Sequence, residues 1–370
     1  MNRQQLLSRL GRTWPIVYSN GVFTVWNRRD DYYLASPFGG RFDVKDNVHV
    51  DRPPRWLLGW PGRPIFDNLA LRLTARRWRR KLQRLGAGAD VVYLFHPEFA
   101  RYLPYLRHDV LIYHAVDLFR NYPGFSAVSA EAEQQLLRAA DLVLGSSPAI
   151  AEQLRKDSNR AVSCLPNGVD FEIFNRTASS TSPVLAAIPR PRIGYSGALN
   201  RKFDFGLISD LATRRPAWQF ILVGPVAHLD AEAEREFQRA RSHSNVHFLG
   251  EQPHTAVPAY MQAFDVGLMC YRTEGLWTAA GYPLKLHEYL ACGLPIVSAD
   301  LEVVREFAKV AWIARTPDEW EILIARAIAG EGPATREDRV AIASANDWDR
   351  RVEMLRQLLE ESLTRARLPA

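Results

Sequence analysis

Gly281-Tyr-Pro-Leu-Lys-Leu-His-Glu-Tyr-Leu-Ala-Cys-Gly-Leu-Pro-Ile-Val-Ser-Ala-Asp300 reads as a loop, a short helix, a sharp stop and a buried strand. Pro283 sits where a helix tolerates proline, at its first turn, and Gly293 supplies a left-handed stop. Leu286 and Leu290 are four apart and face the core, while Lys285 and Glu288 are three apart and share the opposite face. A lysine in a first turn opposes the helix dipole, which favours anions there. That placement makes sense if Lys285 and the free amides of Leu284, Lys285 and Leu286 hold a phosphate or diphosphate. Glu288, one turn deeper, then accepts hydrogen bonds from a vicinal diol such as a ribose. A surface helix with a solvated Lys–Glu pair explains the stretch equally well, so the rest of the chain has to decide.

A chain of 370 residues has room for two domains, each with its own core. With 24% charged and 47% apolar residues it is a globular composition rather than a disordered or fibrous one. Cys164, Cys270 and Cys292 lie far apart without a CxxC spacing, which suggests neither a disulfide framework nor a zinc site. They are expected to be reduced and mostly buried, in a cytoplasmic protein. The opening Met1-Asn-Arg-Gln-Gln-Leu-Leu-Ser-Arg-Leu10 has no apolar signal core, and no window approaches the roughly 18 apolar residues of a membrane span. The expectation is a chain that is neither secreted nor membrane-spanning.

The net charge of +6 is uneven: residues 1–175 carry 24 Lys+Arg against 17 Asp+Glu, and residues 176–370 carry 23 against 24. Much of the excess lies in Leu69–Leu85, where Arg72, Arg76, Arg77, Arg79, Arg80, Lys81 and Arg84 interrupt Leu69, Leu71, Leu73, Trp78, Leu82 and Leu85. This basic, partly amphipathic helix suits an anionic membrane surface, as a peripheral protein on the inner face of the cell membrane would need. A solvated helix face is the simpler alternative. No basic-and-aromatic motif accompanies it, so nucleic acid is not expected as a partner.

In chain order, Trp14–Gly21, Asp90–His96, Asp109–Asp117 and Asp141–Ser147 are apolar, β-rich runs. Helical stretches near Phe66–Leu85, Pro97–Leu106, Ser129–Ala140 and Pro148–Lys156 alternate with them, the pattern of a parallel sheet covered on both faces. Residues 27–64 read as irregular excursions with weak strands. Ala161–Asp170 ends in a Pro-Asn-Gly turn, and the polar stretch Thr177–Pro183 follows. The α/β rhythm then resumes, with strands at Arg192–Ser196, Gln219–Gly224, Asn245–Leu249, Asp265–Tyr271, Pro295–Ala299 and Val310–Ala314. The expected fold class is α/β, two doubly wound, Rossmann-like domains facing a central cleft: residues 1–170, residues 171–346, and a closing helix in residues 347–370 that returns toward the first domain.

Ile193-Gly-Tyr-Ser-Gly-Ala-Leu-Asn-Arg-Lys202 is a strand running into a glycine turn with two adjacent cations. Gly197 lets backbone approach a ligand, and Arg201 and Lys202 would neutralise phosphate charge. Taken alone, this is a plain strand-to-helix turn. Several segments together resemble the GT-B glycosyltransferases of the nucleotide-sugar-dependent group that includes family 4. They are Leu165-Pro-Asn-Gly-Val-Asp-Phe-Glu-Ile-Phe174, Arg192-Ile-Gly-Tyr-Ser-Gly197, Phe220-Ile-Leu-Val-Gly224, Asn245-Val-His-Phe-Leu-Gly250, Val257–Met269 and Pro283–Val297, in matching order. A weaker resemblance to bacterial cell-wall and capsule transferases rests on Ile112-Tyr-His-Ala-Val-Asp117 and Tyr122-Pro-Gly124.

The resemblance implies that Gly197 with Arg201 or Lys202, and Lys285 with the amides of Leu284–Leu286, hold a donor diphosphate. Glu288 matches the second glutamate of the family's E-x7-E pattern and would bind the ribose, and the loop at Gly250 would lie by the base. The first glutamate of that pattern falls at Ala280, and Glu274 is a substitute at the wrong spacing. The resemblance also leads one to expect an opening strand and a glycine-rich loop, whereas the chain opens in a helix, Arg3–Leu10. The catalytic candidates are Asp117, at the end of a buried strand, and His114, with His96 a third; each has a structural alternative, a helix cap for Asp117 and a core histidine for His114. Asp347-Trp-Asp349 suits helix capping better than a metal, so no metal and no cofactor beyond a UDP- or GDP-linked sugar donor is expected. The expected function is transfer of that sugar to a hydroxyl of a saccharide or lipid-linked acceptor in bacterial polysaccharide or cell-envelope synthesis. A non-catalytic nucleotide-sugar-binding scaffold and a nucleotide-sugar epimerase are the alternatives.

Overall fold

The computed structural model describes residues 2–86, 91–121, 124–176, 183–273 and 282–367. It divides into two compact units, Met1–Pro166 with Arg351–Ala370, and Asn167–Arg350. Ala280, Glu274, Tyr122, Pro123 and the polar stretch 177–182 lie outside the described residues.

The first unit opens with the helix Asn2–Leu10 and a set of short strands. β1 (Ile16–Tyr18) pairs in parallel with β4 (Val48–Arg52), β4 pairs antiparallel with β3 (Arg41–Lys45), and β2 (Phe23–Thr24) pairs in parallel with β5 (Leu58–Gly59). The weak strands read in this region include a regular β3–β4 hairpin. Lys45 opposes Val48, and between them Asp46 (φ 49°) and Asn47 (φ 59°) take the left-handed conformation that a two-residue hairpin turn demands. Asp and Asn tolerate that conformation without the glycine that would have flagged it.

Behind the hairpin runs the helix Pro64–Arg84, burying Ala70, Leu71, Thr74, Ala75 and Trp78. Asp51, fully buried on β4, ties it down: the carboxylate accepts from Trp78 Nε1 at 2.6 Å and from Ser19 Oγ at 3.1 Å, and pairs with Arg77. Arg77 also lies 4.3 Å over the Phe42 ring, with Lys81 5.6 Å from it. The basic face read from the sequence therefore loses Arg77, which neutralises an internal carboxylate instead of facing outward.

The main sheet of this unit is parallel, in the order β6 (Val91–Leu94), β7 (Val110–Ala115), β8 (Leu142–Gly145) and β9 (Ser163–Cys164). Every residue of β7 is buried, as its unbroken apolar run requires of a strand covered on both faces. The expected helix at 97–106 is instead a 3₁₀ segment, Pro97–Tyr105, because Pro104 lacks the amide an α-helix would need there.

The second unit holds one parallel sheet, among the described residues, of β10 (Arg192–Ser196), β11 (Gln219–Val223), β12 (Val246–Gly250), β13 (Val266–Met269), β14 (Ile296–Ala299) and β15 (Trp312–Ala314). Its order is β12-β11-β10-β13-β14-β15. Successive residues of β11 feed opposite faces: Ile221 and Val223 pack with Leu286, Leu290 and Val304, and Phe220 and Leu222 with Ile208, Leu211 and Ile324. The strand order reverses at β10, so the gap between the carboxyl ends of β10 and β13 is the topological switch point where such sheets bind ligands.

The two ends of this unit are stitched together. Val169 N–H donates to the Asn346 carbonyl at 3.0 Å, Trp348 N–H donates to the Val169 carbonyl at 2.9 Å, and Asp347 Oδ2 accepts from Phe171 N–H at 2.9 Å. Asp347 Oδ1 caps its own helix by accepting from Asp349 N–H. Cys164, Cys270 and Cys292 are free thiols. No helix among the described residues is long and apolar enough to cross a membrane.

Candidate functional site

Lys285 lies at the switch point. It is the second residue of the helix Leu284–Ala291, and its ammonium donates to Tyr195 Oη at 3.1 Å and to Tyr271 Oη. Tyr195 comes from β10 and Tyr271 follows β13, so the cation bridges the two strands between which the order reverses. It also lies 4.3 Å from the centroid of the Tyr195 ring and 4.6 Å from that of Tyr271, within cation–π range. Burial disfavours its charge, but the two phenol oxygens outweigh burial and hold the Lys285 pKa above its ordinary value. Burial in turn keeps the Tyr195 phenol well above its own ordinary value, hence neutral. The site thus seats the Lys285 ammonium on two phenol oxygens, with no carboxylate hydrogen-bonded to it among the described residues.

Glycine geometry makes the room. Gly197 has φ +143°, and a Cβ there would sit 3.0 Å from Lys285 Nζ. Gly224 has φ +145°, and its Cβ would fall 2.1 Å from the Gly197 carbonyl oxygen. Gly197 N–H donates to the Val223 carbonyl and Gly224 N–H to the Gly250 carbonyl, both at 2.8 Å. The loops after β10, β11 and β12 are thereby laid against one another, with Gly250 (φ +67°) last in the chain of contacts. Sequence reasoning singled out Gly197 and Gly250 and passed over Gly224, although Phe220–Gly224 carries the same strand-then-glycine signal.

The cations after Gly197 sit on a loop fixed by backbone contacts. Lys202 N–H donates to Asn200 Oδ1 at 2.9 Å, Arg272 N–H donates to the Lys202 carbonyl at 2.9 Å, and Asp204 N–H donates to the Cys270 carbonyl at 3.1 Å. Arg201 and Lys202 are partly exposed. Arg201 contributes, after the Ala233 amide and Arg272, to holding the Asp230 carboxyl below the usual range.

The helix itself is anchored through its far side. Leu286, Tyr289 and Leu290 are fully buried, and Tyr289 Oη accepts from Ser196 N–H at 2.9 Å. Tyr282 bonds His287 Nε2 at 2.7 Å, and the Tyr282 carbonyl accepts from Asn167 Nδ2 at 2.8 Å. Leu286 N–H donates to the Pro283 carbonyl at 3.3 Å, so of the three amides expected to face an anion this one is engaged within the chain. No side chain caps the helix, which leaves the Leu284 and Lys285 amides as its unpaired donors among the described residues. Glu288 follows one turn on, partly buried, with no hydrogen-bond partner among the described residues. Burial pushes its carboxyl up to about 7, with Lys285 opposing the rise.

The residues proposed from the first unit are placed differently. Asp117 lies two residues past β7, and its Oδ1 accepts from Leu118 N–H at 2.9 Å. His96 Nδ1 accepts from Glu98 N–H at 3.2 Å, and its ring meets Phe119 edge-on at 4.4 Å, which brings the end of β6 to the loop after β7. Ser146 Oγ donates to the Val116 carbonyl at 3.0 Å and ties in the loop after β8. His114 is a core residue, fully buried, with Nδ1 bonded to Tyr93 Oη at 2.8 Å; burial lowers its pKa to about 3. It is therefore neutral at physiological pH and out of reach of an acceptor, unlike Asp117, which is partly exposed at the strand end. Tyr195, Tyr271 and Tyr289 are the site residues that sequence reasoning missed. Aromatic residues at strand ends carry no signal that separates a phenol holding a lysine from one filling a core.

Comparisons with known proteins take in both halves of the chain. A family model described as group 1 glycosyl transferases matches residues 190–330, and one described as glycosyltransferase family 4 matches residues 26–173. A protein described as a teichuronic acid biosynthesis glycosyltransferase, TuaH of Bacillus subtilis (strain 168), is 29% identical over 232 residues, 60% of this chain. The match spans 57% of that relative's length. Among solved structures, sucrose-phosphate synthase from Thermosynechococcus elongatus superposes with a TM-score of 0.68 at 15% identity, covering 97% of this chain and 92% of that one. Anabaena HepE in complex with UDP-glucose superposes with a TM-score of 0.64 at 18% identity, covering 85% and 87%. These structural likenesses bear on fold, and the family models, which between them take in both halves, bear on descent. The first half of the chain thus matches the family 4 glycosyltransferase model and the second half the group 1 model, and the chain has the GT-B fold.

Proposed function

We propose that this protein transfers a sugar from a nucleoside diphosphate sugar, UDP- or GDP-linked, to a hydroxyl of a saccharide or lipid-linked acceptor in cell-envelope polysaccharide synthesis. The observation that carries the reading is Lys285, a cation held by two phenol oxygens at the switch point, beside two helix amides unpaired among the described residues and the glycine turn of Gly197. The description of the Bacillus relative and the UDP-glucose bound to HepE support it. Departure of the sugar leaves negative charge on the diphosphate. Lys285, the Leu284 and Lys285 amides and Arg201 or Lys202 are the proposed donors for that charge, and donors placed in advance are usually the largest single source of such catalysis. Glu288, lacking a partner of its own, is suited to accept hydrogen bonds from a ribose diol. Asp117 is the proposed group that takes the proton from, or orients, the acceptor hydroxyl. The chemistry as written needs no metal ion. The protein would work in the cytoplasm, where such donors are made available to it.

Calorimetry with UDP, GDP, ADP and dTDP on the wild type and on Glu288→Ala tests this directly. One uridine or guanosine diphosphate should bind the wild type and bind the variant at least tenfold more weakly. Absence of binding to all four would remove the donor assignment. A nucleotide-sugar-binding scaffold is the second reading, favoured by Ala280 where the family pattern has glutamate. It predicts donor binding with neither transfer nor hydrolysis.

A further inference from the structure

We infer that the outward stripe of the helix Pro64–Arg84, together with Trp56 and Trp60, is a docking surface for an anionic lipid bilayer. Ile65, Leu69, Arg72, Arg76 and Arg80 recur at spacings of three and four, so they form one row on the helix, directly opposite the buried row of Ala70, Leu71, Thr74 and Trp78. The row changes character along its length. Its first two turns are apolar and open to solvent, with Ile65 82%, Phe66 57% and Leu69 53% exposed, and its later turns present exposed arginines. Trp56 and Trp60, 53% and 43% exposed, extend the apolar end. Trp60 and Phe66 lie 6.1 Å apart between ring centroids, and the Arg63 guanidinium sits 5.6 Å over the Trp60 ring.

Charge selects the occupant. Asp67 is the helix's one acidic residue, and it pairs with Arg101 away from the row. From Asn68 to Ala89 the sequence contains no Asp or Glu. Arg77, the basic residue that would leave this pattern, is withdrawn to Asp51. A second copy of this chain would set arginine against arginine, and nucleic acid has no use for five large exposed apolar side chains. An anionic interface satisfies both halves: indole and phenyl rings at headgroup depth, arginines along the phosphates. Over about 1.5 Å per residue the row from Ile65 to Arg80 spans roughly 22 Å, long enough to lie in the plane of a membrane.

The inference stands apart from the transferase reading, and its test uses no turnover. The full-length protein is sedimented with phosphatidylcholine vesicles with and without phosphatidylglycerol, at low and high salt. Wild type should bind only the anionic vesicles and release as salt rises. Arg72→Glu, Arg76→Glu and Arg80→Glu combined should weaken partition on the order of 100-fold, each arginine counting about fivefold or more. Trp60→Ser with Phe66→Ser should weaken it about tenfold or more at low salt with no change in net charge, which a purely electrostatic attachment would not show. All five side chains are solvent-facing, so melting temperatures should stay at the wild-type value and keep misfolding out of the result. Wild type that ignores anionic vesicles, or variants that bind as it does, would overturn the inference. So would sedimentation velocity showing a dimer that the Trp60/Phe66 variant dissociates, since the surface would then belong to a second copy.

Discussion

The carboxyl ends of the strands are built in opposite ways in the two units. In the second, glycines strip side chains from the loops, Lys285 is held by two phenol oxygens, and Glu288 has no hydrogen-bond partner among the described residues. In the first, the polar side chains at the strand ends bond loop backbone: Asp117 to the Leu118 amide and His96 to the Glu98 amide in their own loops, and Ser146 to the Val116 carbonyl in the neighbouring one. One end holds a cation in place, as the proposed diphosphate site requires. The other engages these polar groups within the protein. A donor common to many transferases suits the first arrangement, and an acceptor particular to each suits the second.

The sharpest way to break the contrast is Lys285→Ala. If its charge acts mainly as the diphosphate leaves, kcat should fall about 10²- to 10³-fold while donor affinity falls by less than about tenfold. Equal losses in both would reduce Lys285 to a binding residue. On the other side, Asp117→Asn should lower kcat about 100-fold with a melting temperature within a few degrees of wild type. His114→Leu should do the reverse, moving stability and leaving kcat within a few-fold; a dead but stable His114→Leu enzyme would exchange the two roles. Gly224→Ala should cost about 2–3 kcal/mol, read as a fall in melting temperature, because both its φ and the Gly197 carbonyl oppose a Cβ.

Glu288 gives a pH signature. Its carboxyl titrates near 7 in the folded protein against an ordinary value of 4.5, so between those values the folded state holds a proton that the unfolded chain has released. Stability should therefore fall as pH rises from about 4.5 through 7, by about 1–2 kcal/mol, and Glu288→Gln should flatten that slope. Nucleotide affinity should move the other way, rising through pH 7 in the wild type as the diol acceptor ionises. The smallest effect is expected at Gly250. A Cβ there meets open space and only the left-handed φ resists it, so Gly250→Ala should cost about 1 kcal/mol. Similar losses at Gly224 and Gly250 would mean that loop stacking does not order the site.

The sequence was informative where backbone geometry restricts residue choice. Gly197 and Lys285, 88 positions apart, were proposed on separate grounds, and the structure sets them so close that a Cβ on Gly197 would lie 3.0 Å from Lys285 Nζ. The strand-and-helix alternation of the second unit was equally legible, since buried parallel strands need unbroken apolar runs. What stayed hidden were contacts decided by tertiary placement alone. Tyr195 and Tyr271 look like any core aromatic until the lysine between them is seen. Arg77 looks like its exposed neighbours until Asp51 is found behind it. The β3–β4 turn was obscured because Asp46-Asn47 lacks glycine, and Leu286 was credited with a free amide that Pro283 takes up.

The stitching of Val169 to Asn346 and Trp348 bears on the order in which the chain is completed during synthesis. Asn167–Arg350 is one uninterrupted segment with its two ends zipped together, whereas the first unit takes in Arg351–Ala370, with Leu355 and Leu359 buried. The unit translated first is therefore the one finished last. A ribosome that has released residues up to Arg350 has exposed everything the inserted unit needs, while the opening half still waits for its last helix. Domains usually mature from the amino terminus onward. Here the donor side would reach its native state first, and truncations near the carboxyl terminus would injure the opposite end of the sequence.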